Sequence, residues 1–164
     1  MQLTGGCSCG AVRFSIGRYL YAQLCHCHAC KKRTGGAYGI SVVIDSSELN
    51  QFRGDIRTFT RIAESGNPVE YDFCPACATT IRWRIKALES RQVLAGETFD
   101  DPRTFQIAGE MYTTQALPWA RIGCEIARPD APDETYRAAM MAKPDSRHRR
   151  WGLIPETIQA PAVH

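Results

Sequence analysis

Between Cys25 and Cys30 the chain places three cysteines and two histidines in six residues, Cys25-His26-Cys27-His28-Ala29-Cys30, and follows them with Lys31, Lys32 and Arg33. No other stretch constrains the fold as strongly. Thiolates crowded this closely repel one another unless a cation sits among them, and zinc is the usual cation in proteins. The sulfurs of this stretch must be able to converge, and the rest of the chain has to hold them there.

Seven of the eight cysteines fall into three groups: Cys7 and Cys9; Cys25, Cys27 and Cys30; Cys74 and Cys77. Cys124 stands alone and reads as a small core hydrophobe. The N-terminal Met1-Gln2-Leu3-Thr4-Gly5-Gly6-Cys7 has neither a basic n-region nor an apolar h-region, so a cytoplasmic location is expected. In a reducing compartment these cysteines read as metal ligands, not as a disulfide framework. Structural zinc takes four ligands in a closed tetrahedron, whereas catalytic zinc takes three and keeps a position open. Two pairs make four and leave a group of three, so the count suggests one closed site and one open site. The spacing allows another partition: Cys27 and Cys30 with Cys74 and Cys77 would form a four-thiolate ribbon and strand Cys7, Cys9 and Cys25. His28 as a ligand would close the three-thiolate site. Its neighbour Cys27 argues against this, because adjacent side chains seldom reach one metal without strain. His26 is expected to be a hydrogen-bonding or packed histidine behind the ligands.

The periodicity around these groups is that of strands. Val12, Phe14 and Ile16 alternate, and Leu20, Ala22 and Leu24 lead straight into Cys25. Tyr38 to Ile44 reads as a central strand and Arg57 to Ile62 as another. Val69, Tyr71 and Phe73 deliver the chain to Cys74-Pro75-Ala76-Cys77, and Ile81, Trp83 and Ile85 return from it. The second Cys-x-x-Cys is therefore expected at a hairpin tip. Arg91 to Ala95 and Phe105 to Tyr112 are further strands, and Ser65-Gly66-Asn67-Pro68 is a turn. Asp133 can cap a short helix from Glu134 to Met141, stopped by Pro144. Trp119, in a loop, is expected to plug one end of the core. The fold class is mainly β, with one short C-terminal helix. A chain of 164 residues suits one domain: residues 1–128 are expected to form the zinc-binding unit, with 129–164 as a helix and tail packed on it or extending from it.

The net charge of +3 does not by itself argue for nucleic acid. Arg147, His148, Arg149 and Arg150 read as a solvated tail. No apolar run approaches membrane-spanning length, so neither membrane nor nucleic acid is an expected partner.

Three thiolates on Zn²⁺ leave a net charge of about −1 by simple counting, which weakens the metal as a generator of hydroxide. Soft ligands suit a soft guest, and the natural guest is another thiolate. Zinc lowers the pKa of a bound thiol, which can then attack an electrophilic carbon. Lys31, Lys32 and Arg33 can offset the negative site or hold the carboxylates of an anionic thiol.

Taken together, Gly6-Cys7-Ser8-Cys9-Gly10-Ala11-Val12-Arg13-Phe14, Cys25-His26-Cys27-x-x-Cys30-Lys31-Lys32, Phe73-Cys74-x-x-Cys77, Gly96-Glu97-Thr98-Phe99-Asp100-Asp101-Pro102 and Trp119 resemble the glutathione-dependent formaldehyde-activating enzyme (Gfa) family, which includes centromere-protein-V-like members. The resemblance runs from about Thr4 to Trp119. It implies a β-tent fold of small antiparallel sheets around two Zn²⁺ ions. It also implies a structural zinc on Cys7, Cys9, Cys74 and Cys77 and a catalytic zinc on Cys25, Cys27 and Cys30. The implied activity is that of a carbon–sulfur lyase interconverting glutathione plus formaldehyde with S-(hydroxymethyl)glutathione. The chain departs from the family pattern in two places. Ala78 stands where a glycine usually follows the second Cys-x-x-Cys, and glycine tolerates φ > 0 where alanine does not. His28 stands where a small polar residue is expected. The competing expectation is a non-catalytic zinc-binding module for a protein or nucleic-acid partner.

Overall fold

The computed structural model describes residues 2–88 and 90–142. Pro144 and the basic cluster at 147–150 lie outside the described residues. The strands are β1 (Leu3–Gly6), β2 (Arg13–Ile16), β3 (Tyr21–Cys25), β4 (Gly39–Asp45), β5 (Leu49–Arg53), β6 (Arg57–Ile62), β7 (Pro68–Phe73), β8 (Thr80–Ile85), β9 (Arg91–Ala95), β10 (Ile107–Met111) and β11 (Ile126–Ala127). Among the described residues, two helices, α1 (His28–Thr34) and α2 (Glu134–Ala142), complete the regular structure apart from single 3₁₀ turns. The fold is thus mainly β with a short C-terminal helix. Asp133 caps α2 as expected, its Oδ1 accepting the Tyr136 N–H at 2.8 Å.

The strands form two sheets, a small one ordered β1-β2-β5 and a large one ordered β11-β10-β3-β4-β9-β8-β7-β6. This corrects the expectation of small, wholly antiparallel sheets. The larger sheet has eight strands, and β10 runs parallel to both β3 and β11. A parallel pair needs a long crossover, and about half of the chain lies between β3 and β10.

The large sheet is covered on both faces, which explains why all five residues of β3 are buried. One face shares a core with the small sheet, built from Val12, Phe14, Ile16, Ala22, Val42 and Leu94 among others. Phe14, Phe99 and Phe105 stack edge to face in it, with centroids 5.1 and 5.4 Å apart. The opposite face carries Tyr21, Val43, Tyr71, Trp83 and Val93, with Tyr136 and Met140 of α2 packed against them. Each fully buried aliphatic or aromatic side chain contributes roughly 1.5–3 kcal/mol. Trp119 takes no part in either core. It is 77% exposed, so the expected plug is not observed.

The 96–102 segment acts as a strap across the two sheets. Gly5 bridges to Phe99, the Asp100 N–H is donated to Thr4 O at 3.0 Å, and the Arg13 guanidinium grips the Asp100 carboxylate. No helix among the described residues is long and apolar enough to cross a membrane.

Candidate metal centres

The seven clustered cysteines meet as two groups, Cys7 with Cys9, Cys74 and Cys77, and Cys25 with Cys27 and Cys30; within each group all sulfurs lie within 4.8 Å of one another. The ribbon-like alternative pairing does not occur.

The four-sulfur group joins two turns. One follows β1, where Gly10 adopts φ 79° and the Val12 N–H points at Cys7 Sγ at 3.1 Å. The other is the β7–β8 hairpin tip, closed by Cys74 N–H to Thr79 O at 3.0 Å and Ala78 N–H to Cys74 O at 2.9 Å. The hydroxyls of Ser8 and Thr79, 2.9 Å apart, tie the two turns together. Hydrogen bonds from Ser8 and Thr79 lower the Cys77 thiol to about 5. Ala78 sits at φ 58°, the left-handed conformation that its departure from glycine called into question. The sulfurs of Cys7 and Cys9 are 3.4 Å apart and those of Cys9 and Cys74 3.8 Å. Four thiolates bound to zinc at about 2.3 Å stand about 3.8 Å from one another, so the donor set fits that ion.

The three-sulfur group is built by the end of β3 and the start of α1. Cys27 is the N-cap of α1, its sulfur accepting the Cys30 N–H at 3.4 Å. Gly35, at φ 68°, closes the helix by donating its N–H to Lys31 O. Lys31, Lys32 and Arg33 occupy the last turn, where positive charge suits the helix dipole. Lys31 Nζ donates to Gln115 O at 2.6 Å, and the Arg33 guanidinium lies over the Trp83 ring at 4.4 Å. Cys25, Cys27 and Cys30 are all buried. Hydrogen bonds from Cys25 and Cys30 pull Cys27 far down, while Cys27 and Cys30 push Cys25 far up. Three sulfurs so close compete for one negative charge unless a cation is added. Each of the two cysteine groups could therefore coordinate a metal ion. His28 does not join the second group. It is exposed on the first turn of α1, and its backbone N–H is donated to Gln115 Oε1 at 3.0 Å.

His26 points away from solvent and is fully buried. Its Nε2 lies 3.1 Å from Glu110 Oε2, its ring meets Tyr38 edge-on at 5.7 Å, and its backbone N–H is donated to Met111 O. Cys124 is half-buried and gives its N–H to Glu110 Oε1 at 3.0 Å.

Above Cys25, Cys27 and Cys30 opens a cavity of about 230 Å³, walled by Gln23, Ser41, Tyr71, Trp83 and Tyr112, with Arg61 and Arg137 also lining it. Arg61 is held by Nε–H to Tyr71 Oη and Nη1–H to Ile62 O, both at 3.2 Å. Tyr112 adopts φ 58°, a strained conformation for an aromatic residue, and packs on the three cysteines. Gln23, Arg61, Glu110 and Arg137 escaped the sequence reading. Only Gln23 left a signal there, since it shares its strand face with Cys25 two residues on.

The glutathione-dependent formaldehyde-activating enzyme family model matches residues 2–115. A Halomonas elongata protein named for the same family is 33% identical over 86 residues, which make up 49% of this chain and 55% of that protein. The chain thus spans little more than half the length of that curated relative. The crystal structure of a Rhodobacter sphaeroides protein superposes with a TM-score of 0.48 at 19% identity, over 59% of this chain and 87% of that one.

Proposed function

Because this chain belongs to the glutathione-dependent formaldehyde-activating enzyme family, we propose that it is a zinc-dependent carbon–sulfur lyase of that type. It binds a thiol, glutathione in the first instance, at Cys25, Cys27 and Cys30 and adds it reversibly to formaldehyde or a similar small electrophile. Cys7, Cys9, Cys74 and Cys77 hold a second, structural zinc. Residues 1–128 supply both sulfur groups, and α2 beyond them adds Arg137 to the cavity wall.

One observation carries this reading: the inequality of the two sulfur groups. Four sulfurs meet at a hairpin tip, whereas three form the floor of a cavity that His28 does not close. When bound to those three, zinc supplies the positive charge that keeps an incoming thiol deprotonated near neutral pH. The other tasks fall to the chain itself. Arg61 and Arg137 line the cavity and offer guanidinium groups to the carboxylates of an anionic thiol. Tyr71, Trp83 and Tyr112 give it aromatic walls, which keep water from the reacting sulfur and orient its carbon chain.

Zinc stoichiometry combined with calorimetric titration by glutathione tests the proposal. The expected result is two zinc ions per chain and saturable thiol binding that disappears in Cys27→Ser. A Cys27→Ser protein that keeps its fold, its thiol affinity and its full catalytic rate would sink it.

A further inference from the structure

Gln23 has no task in the reaction as described so far. It is 6% exposed and lines the cavity, yet its Oε1 is buried without a hydrogen-bond partner. Its amide N–H reaches only Met111 Sδ, at 3.7 Å. A buried amide oxygen left unpaired is costly and uncommon, and calls for an explanation. Its cross-strand neighbour in the β3–β4 ladder is Ser41, 2% exposed and on the wall of the same cavity. Around them the wall is apolar, with Val43, Val69 and Val93. Strand alternation places Gln23 on the same face as Cys25, two residues along β3 and so about 6–7 Å away.

An acceptor and a donor thus stand side by side on an apolar stretch of the cavity wall, on the strand face shared with Cys25. A hydroxyl matches that pair, because it accepts from Ser41 and donates to Gln23. We infer that Gln23 and Ser41 form the binding site for the substrate's oxygen: the carbonyl oxygen of the aldehyde in one direction, and the hydroxyl of the thiol adduct in the other. The inference rests on the thiol-addition reading above and assigns the oxygen half of that reaction. As the sulfur lone pair forms the carbon–sulfur bond, the π pair of the carbonyl moves onto oxygen. The oxygen then takes up the proton that the thiol released, and nothing is oxidised or reduced. Ser41 donates to the oxygen while its negative charge builds. The new O–H then turns to Gln23 Oε1. A site made to pair a hydroxyl also rejects analogues that lack one, so the S-methyl thioether of the same thiol is a poor ligand.

The test uses the full chain loaded with zinc. Exchange between glutathione, formaldehyde and S-(hydroxymethyl)glutathione is followed by nuclear magnetic resonance, and glutathione affinity by calorimetry. Gln23→Leu, which removes the acceptor for the adduct's hydroxyl, is expected to lower kcat/KM for the exchange roughly 2–10-fold, the range of one neutral hydrogen bond, while glutathione affinity stays within about threefold of wild type, because the thiol's own contacts are untouched. Ser41→Ala, which removes one oxygen atom, is expected to cut the same ratio and guards against a folding defect in the first variant. Unchanged exchange in a folded, thiol-binding Ser41→Ala or Gln23→Leu protein overturns the inference and leaves the thiol-addition reading standing. Wild-type protein that neither binds glutathione nor speeds the exchange overturns both.

Discussion

His26 and Glu110 form a buried pair directly behind the three-sulfur group, Nε2 and Oε2 3.1 Å apart with both side chains at 0% exposure. Burial alone would raise the Glu110 carboxyl, but the Cys124 N–H and His26 outweigh it and hold the group below the usual carboxylate range. Its other oxygen accepts the backbone N–H groups of Ile122 and Cys124 at 3.1 and 3.0 Å. One carboxylate therefore fastens the 120–124 segment to the loop that presents Cys25 and Cys27. Removing it strands a buried histidine and two backbone donors. Glu110→Ala is expected to lose about 3–5 kcal/mol of stability, read from the denaturant midpoint of the zinc-loaded protein. Glu110→Gln, which keeps an acceptor, should lose less. Equal losses would mean that the charge of the side chain matters and that its shape and remaining acceptor do not.

At the hairpin tip the expected effect runs the other way. Ala78 holds φ 58°, a conformation that costs a residue bearing Cβ roughly 1–2 kcal/mol. Ala78→Gly relieves that strain but gains chain entropy when unfolded. The net expectation is a gain of up to about 1 kcal/mol, or roughly 2–4 °C in Tm for a chain of this size. A thermal melt that drops on introducing glycine would contradict the strained reading of this turn.

Metal removal should separate the two sulfur groups. Cys74→Ser is expected to lose one zinc per chain and much of the fold, because its group ties the β7–β8 tip to the turn after β1. Cys27→Ser should lose one zinc with the circular dichroism spectrum intact. Metal content measured alongside the spectrum checks both. A Cys74→Ser protein as stable as wild type would show that the first group is not a structural staple.

The strap at 96–102 has its own pH signature. Hydrogen bonds from Arg13 and then Thr4 hold the Asp100 carboxyl below its ordinary value. A carboxyl lowered on folding adds stability above the unfolded pKa of about 3.9 and loses it as pH falls through the folded value. Asp100 is 45% exposed, so solvent screening limits the gain to well under about 1 kcal/mol. Asp100→Asn should lower Tm slightly near neutral pH, and the difference should shrink as pH falls below about 3.9. A constant Tm difference across that range would rule out ionisation as the cause.

The cysteine groups, the hairpin tip, the central place of β4 and the capped C-terminal helix were legible in the sequence because each rests on local chemistry or a short period. The parallel pairing of β3 with β10 was not, since nothing near Ala22 or Ile107 records a partner so distant along the chain. Helix α1 spans only Cys27 to Gly35 with its caps, too short to show a period, and is capped by sulfur where oxygen is usual. Glu110 stands in an otherwise apolar strand, and its role depends on amides contributed by a later loop. Gln23 went unread because Leu20, Ala22 and Leu24 marked a single apolar side of the strand. That assignment fails in a sheet covered on both faces.

That two-sided β3 has a consequence for how such a chain can change over time. Ala22 faces the core that holds the molecule together, while Gln23 faces the cavity. Selection can therefore try new side chains at 23, or opposite it at 41, and leave the hydrophobic packing behind them unaltered. Under the proposed thiol-addition reading, divergence toward another electrophile needs no redesign of the scaffold, since one ribbon turns Ala22 to the core and Gln23 to the cavity.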